Sequence, residues 1–165
     1  MRARLAPLVL AAALAGCSDA GEPSATRENS QQTATSRDDA APGCIRQVAQ
    51  GFKTLFYDQG RVREAYETYV AEGYRQHNLM AQDGRAAAIA FLEPIYAANP
   101  QHRMTVHRMI VEDPYIVVHL HGQSSADDLG AAAVDILRVE NCRIVEHWDV
   151  TQAVPATSVN GNGMF

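Results

Sequence analysis

The sequence predicts an α+β domain with its helices first and its strands after. Apolar residues recur at helical spacing up to about residue 98, the period then changes from 3.6 to 2, and the strand-like part is rich in Val, Ile and His. Ile45, Val48, Ala49, Phe52, Leu55 and Phe56 form one stripe and define the first helix. Gly60 interrupts it, and Val62, Ala65, Tyr66, Tyr69 and Val70 repeat the pattern as a second. Tyr74 to Asn78 reads as a short extended piece. After Asp83-Gly84 a third helix is expected from about Arg85 to Ala98, kinked at Pro94. Asn99-Pro100 ends it, because a residue before proline is pushed out of the helical region. Met104 to Val111, Tyr115 to His121, Ala131 to Val139 and Arg143 to Thr151 then follow as four strands of an antiparallel meander, separated by turn residues. The expected architecture is three N-terminal helices packed on one face of a curved antiparallel sheet.

The start of the chain carries an address. Arg2 and Arg4 precede an unbroken small or apolar run from Leu5 to Gly16, as in a signal peptide. Such a run spans about 18 Å as a helix against roughly 30 Å of bilayer hydrocarbon, too short for a permanent span. Leu14-Ala15-Gly16-Cys17 resembles the lipobox of bacterial lipoproteins, which implies cleavage before Cys17 and acylation of that cysteine. Residues 1–16 are therefore expected to be removed. Residues 17–43, with no aromatic and no Ile, Leu, Val or Met, are expected to be a lipidated cysteine and a tether, with a root-mean-square reach of about 25–30 Å. Residues 44–165 remain as one domain. In lipoproteins the residue after the cysteine sorts between membranes, and Ser18 implies the cell envelope, at the periplasmic face of an outer membrane.

Losing Arg2 and Arg4 takes the 14 basic residues to 12 against 19 acidic ones, a net charge of −7 with histidines neutral. No basic stripe remains, which argues against nucleic acid or an anionic lipid surface as partner. In an oxidising compartment Cys44 and Cys142 are an even pair, expected to form a disulfide that staples the start of the first helix to the last hairpin.

Ionisable residues on the strands carry the functional expectation. Alternation puts His107, His119 and His121 on one side of the sheet, and Met104, Val106, Ile110, Ile116, Val118 and Leu120 on the other. Whether Asp135 joins His147 and Asp149 depends on the last turn. A two-residue turn needs positive φ at both Asn141 and Cys142; a three-residue turn with a bulge needs it at Cys142 alone and sets Asp135 opposite His147. Because non-glycine residues disfavour positive φ, the bulged register is expected. It gathers His107, His119, His121, Asp135, His147 and Asp149 on one face, and that many ionisable groups call for a lined cavity, unless the face simply looks at water. The apolar sides both need cover, from helices on one and a second subunit on the other, so a homodimer through the outer sheet face is an expected partner.

Tyr74-Arg75-Gln76-His77-Asn78, Val134-Asp135-Ile136-Leu137-Arg138 and Ile144-Val145-Glu146-His147-Trp148-Asp149-Val150 together resemble the SnoaL-like family of polyketide cyclase relatives. The likeness covers about Ile45 to Phe165. It implies the nuclear transport factor 2-like, or cystatin-like, fold with a cone-shaped cavity between helices and sheet. It implies ring closure by aldol condensation with no metal or organic cofactor. The family's acid/base aspartate is matched by Asp149, while its partner histidine is replaced by Asp135.

The chemistry follows from the side chains. Removing a proton α to a carbonyl needs a carboxylate between apolar walls and a donor for the developing enolate oxygen. Asp149 and Asp135 are the expected acid/base pair, with His147 and His77 as catalytic donors and His121, Trp148 and Tyr74 as ligand contacts. The substrate expected is an apolar or carbonyl-containing small molecule. The same cavity would also serve a non-catalytic lipoprotein that captures a small molecule. A third reading, a metal held by His119, His121 and His147 with the two aspartates, rests on alternate-residue spacing alone.

Overall fold

The computed structural model describes residues 43–165. The expected signal peptide, the lipidated Cys17 and the tether lie outside the described residues. Helix α1 (Cys44–Phe52) runs into a π-helical turn (Lys53–Asp58) and is followed by α2 (Val62–Tyr69), β1 (Val70–Gln76), α3 (Arg85–Ala98), β2 (Arg103–Glu112), β3 (Tyr115–Gln123), β4 (Ala131–Glu140) and β5 (Arg143–Ala153). Each expected helix and strand is present.

The π turn changes which residues face the sheet. It adds one residue to the helical repeat. Phe56 and Tyr57 are both buried as a result, while Leu55 is only half-buried. The helices meet closely: the Tyr69 hydroxyl occupies the space a Cβ at Gly51 would need, so only glycine fits there. Phe52, Phe56, Tyr57 and Tyr66 pack ring against ring with centroids 4.9–5.8 Å apart. They cover the inner sheet residues Ile116, Val118, Leu120, Leu137, Val139 and Ile144, all buried in one core.

The sheet is mixed, which corrects the expectation of a wholly antiparallel one. β2 to β5 form the antiparallel meander, but the extended piece is a true strand, β1, paired parallel to β5, in the order β1-β5-β4-β3-β2. The disulfide between Cys44 and Cys142 is formed, with Cα atoms 5.6 Å apart, and ties α1 to the β4–β5 turn.

That turn departs from the expected register. Glu140 pairs with Arg143, so the turn has two residues, and Asn141 and Cys142 both take positive φ, 48° and 58°. This is the geometry that suits the twist of a hairpin, asparagine tolerates it well, and Cys142 is held by its disulfide. The bulge comes one step later, in β5, where Val139 faces Ile144 but Arg138 faces Glu146. Asp135 is consequently opposite Asp149, and His147 is opposite Leu137.

A second irregularity separates Val106 from Arg108 in β2. The inner face is therefore made of Met104 and Val106 before it and Met109 and Val111 after it, of even residues in β3 and of odd residues in β4. A single parity does not run through the sheet, and the expected gathering of six ionisable residues divides into two groups.

Candidate functional site

Asp135, His147 and Asp149 face the helices. His107, His119 and His121 face the other way, where all three lie against the ring of Phe165 with centroids 4.5, 5.6 and 4.5 Å from it. The expectation that His121 shares the cavity is corrected by the β3–β4 register, which pairs His121 with Ala132 while Asp135 pairs with Val118. Its Nε2 instead meets the Leu129 carbonyl at 2.8 Å. The metal reading fails on the same geometry, since His119 and His121 are on the opposite face from His147. Among the described residues no three His, Cys, Asp or Glu side chains are grouped to hold an ion.

The inner group lines a hollow of about 140 Å³. Its walls are Phe52, Phe56, Tyr57, Tyr66 and Tyr74 with Phe91 and Leu92 of α3, and its polar floor is Gln76, Asn78, Asp135, His147 and Asp149. A larger surface groove of about 490 Å³ runs beside α2, but its charged side chains are paired with one another, Arg63 with Glu93 and Arg61 with Glu64.

Each carboxylate has a named donor. The Tyr57 hydroxyl donates to Asp135 Oδ2 at 2.7 Å, and Asn78 Nδ2 donates to Asp149 Oδ2 at 2.8 Å. His147 Nε2 stands 3.5 Å from Asp135 Oδ1, and its Nδ1 is 2.8 Å from Gln76 Oε1. The tyrosines hold their protons firmly. Burial, reinforced by the nearby Asp135 charge, pushes the Tyr57 hydroxyl well above its ordinary value, and the same two causes raise Tyr74. Around the hollow they are hydrogen-bond donors and apolar walls rather than acids.

β1 explains the division of labour on its edge of the sheet. In a strand neighbouring side chains point to opposite faces. Gln76 and Asn78 point inward to His147 and Asp149, whereas His77 between them points outward, its Nε2 2.8 Å from Glu146 Oε1 and its ring stacked 4.8 Å from Trp148. His77 and Trp148 therefore lie outside the hollow, contrary to their expected places as donor and ligand contact. Glu146, buried on that outer side, is held below its ordinary value by the His77 and Arg138 hydrogen bonds. Tyr74 is in the wall of the hollow, its ring stacked over His147 at 6.5 Å.

Tyr57, Gln76 and Asn78 are the site residues that helical and loop reasoning did not single out. The signal for two of them was present: reading residues 74–78 as a strand puts Tyr74, Gln76 and Asn78 on one side.

The profile of the SnoaL-like polyketide cyclase family matches residues 47–157, well over half of the chain. The chain belongs to this family. Among solved structures it is similar to a protein provisionally named a polyketide cyclase from Bacillus cereus ATCC 10987, with a TM-score of 0.56 and 20% identity over 66% of this chain and 74% of that one. A SnoaL-like family protein provisionally named an isomerase, from Agrobacterium tumefaciens strain C58, gives a TM-score of 0.55 at 18% identity over 66% and 97%. A SnoaL-like protein of unknown function from Burkholderia thailandensis E264 gives 0.55 at 12% identity over 68% and 98%. At these identities the likeness establishes the fold. No curated protein matches the chain.

Proposed function

We propose that this SnoaL-like chain is an acid/base enzyme, needing no organic cofactor, that acts on a small neutral carbonyl compound by aldol condensation or isomerisation. The observation that carries the reading is the cross-strand pair of carboxylates, Asp135 opposite Asp149, on the floor of an aromatic-walled hollow. Two carboxylates at facing cross-strand positions in one recess suit a division of roles, one taking a proton and the other staying with its donors. Asp135 is engaged on both oxygens, by Tyr57 and by His147, whereas Asp149 has Asn78 on Oδ2. Asp149 is accordingly the base. It takes the proton α to the carbonyl, the C–H electron pair moves into the enolate, and the enolate oxygen is met by the Nε2–H of His147 when that ring carries both protons. Return of that proton to a different carbon gives isomerisation; attack of the enolate carbon on a second carbonyl, with the proton on Asp149 passing to the new alkoxide oxygen, gives ring closure.

Size and charge bound the substrate. At about 140 Å³ the hollow is smaller than a typical drug-sized site, and its two carboxylates disfavour an anionic ligand. A screen of small ketones and aldehydes for exchange of the α-hydrogen with deuterium, read by mass spectrometry, tests the reading. Exchange in the wild-type protein that disappears in Asp149→Asn supports it. Equal exchange in both proteins sinks it.

The alternative is capture of a small molecule without chemistry, favoured by the aromatic walls. Binding that survives Asp149→Asn with no exchange on any ligand would establish that reading instead. Anchoring by lipid on Cys17 at the envelope, the periplasmic face of an outer membrane, belongs to the same proposal, supported by the lipobox-like Leu14 to Cys17. Labelling with a fatty-acid probe that persists in Cys17→Ser would end it. A second copy on the outer sheet face is supported by exposed Ile110, Tyr115 and Val150 there. Sedimentation showing a monomer at all concentrations would remove it.

A further inference from the structure

We infer that Gln76 is a positioning residue: it holds the His147 ring with a proton on Nδ1, so that the proton His147 gives or takes in the hollow is the one on Nε2, beside Asp135. The catalytic consequence rests on the acid/base reading above; the placement of the proton does not.

Three contacts fix the Gln76 amide. Its Oε1 accepts the Asn78 backbone N–H at 3.0 Å, a group that only donates, and its Nε2 donates to the Tyr74 hydroxyl at 3.3 Å. Turning the amide over would set its NH₂ against the Asn78 N–H, so the oxygen has to lie where it does. The same oxygen is 2.8 Å from His147 Nδ1, and an oxygen with no proton of its own can meet that nitrogen only if the nitrogen donates. The backbone makes this pairing reliable, because Gln76 and His147 are register partners in the parallel β1–β5 ladder and the His77 N–H donates to the His147 carbonyl at 3.0 Å.

With Nδ1 committed, Nε2 is the exchangeable nitrogen, 3.5 Å from Asp135 Oδ1. Its ionisable neighbours are Asp135 from β4, Asp149 from its own strand, Tyr57 from the π turn, Tyr66 from α2 and Tyr74 from β1. The tyrosines are held protonated by burial, which leaves Asp135 Oδ1 as the acid/base partner that Nε2 faces on this side of the hollow. Free neutral histidine carries its proton mainly on Nε2, and Gln76 reverses that preference.

Long-range ¹H–¹⁵N spectra of the full chain, recorded where the ring is neutral, distinguish the two tautomers. The wild-type protein is expected to show His147 as the Nδ1–H form. Gln76→Glu keeps an acceptor and keeps that form, whereas Gln76→Leu removes it and shifts the ring to Nε2–H. A wild-type ring protonated on Nε2, or no change in Gln76→Leu, overturns the inference. Where Gln76→Leu does not fold, the wild-type and Gln76→Glu spectra decide alone. With a carbonyl substrate in hand, Gln76→Leu is expected to lower kcat at least tenfold with KM little changed. A switched tautomer with unchanged kcat would overturn the catalytic consequence and leave the acid/base reading standing.

Discussion

The two faces of the sheet use the same residue types to different ends. On the inner face His147 stands between an amide and a carboxylate, and two aspartates oppose each other under a roof of aromatic rings. On the outer face three histidines lie against Phe165, and a buried glutamate is paired with Arg138 and hydrogen-bonded to His77. Residue type does not separate these groups. What separates Glu146 from Asp149 is partnering: Glu146 is matched on both oxygens, while Asp149, on the floor of the hollow, has its donor on Oδ2 and keeps Oδ1 for a ligand.

That contrast is breakable by mutation. Asp149→Asn removes the proposed base and is expected to lower turnover by about 10² to 10⁴-fold, the usual span for a general base, with an unchanged circular dichroism spectrum. Replacing Cys44 and Cys142 by serine frees the helices from the last hairpin. Closing a loop of this length contributes about 4–5 kcal/mol in the chain-entropy model, and denaturant midpoints would show a loss of that order. Tyr57→Phe leaves Asp135 Oδ2 without its donor, and thermal unfolding should record a cost of about 1–3 kcal/mol.

The outer face predicts smaller effects. Because Glu146 is held below its ordinary value, its contribution to stability is complete above that value and is lost as pH falls through the depressed one. The gap in melting temperature between wild type and Glu146→Gln should therefore be widest near neutrality and close as pH falls below the ordinary carboxylate range. A gap that widens on acidification would contradict the assignment. His119→Ala and Phe165→Ala should leave turnover unchanged, and a fall in activity from either would erase the distinction between the faces.

Much of this was legible in the residues. The three helices, the four meander strands and the disulfide follow from periodicity, punctuation and cysteine count, and Asp135, His147 and Asp149 do share one face as expected. They share it for a different reason. The turn takes two residues, and the offset that restores Asp135 to the side of Asp149 comes from a bulge in β5 that no turn residue announces. The histidines of β2 and β3 were misplaced because parity was carried across hairpins, where a change of one residue in register exchanges the faces. β1 was read as an extended piece because its partner, β5, is some seventy residues away and parallel, a pairing that local sequence does not encode. Tyr57 was hidden by a stripe that ends at Phe56.

The π turn in which Tyr57 lies has a consequence for how such a site could arise. It works as a one-residue vernier: upstream of it Val48, Ala49 and Phe52 keep their seats, and downstream of it each side chain is advanced around the axis by about 100°. Deleting Lys53, Thr54 or Leu55 would leave the helix continuous and carry the hydroxyl away from Asp135. A pocket of apolar rings would then lose its phenolic donor through one codon, without a change in any amino acid that lines it.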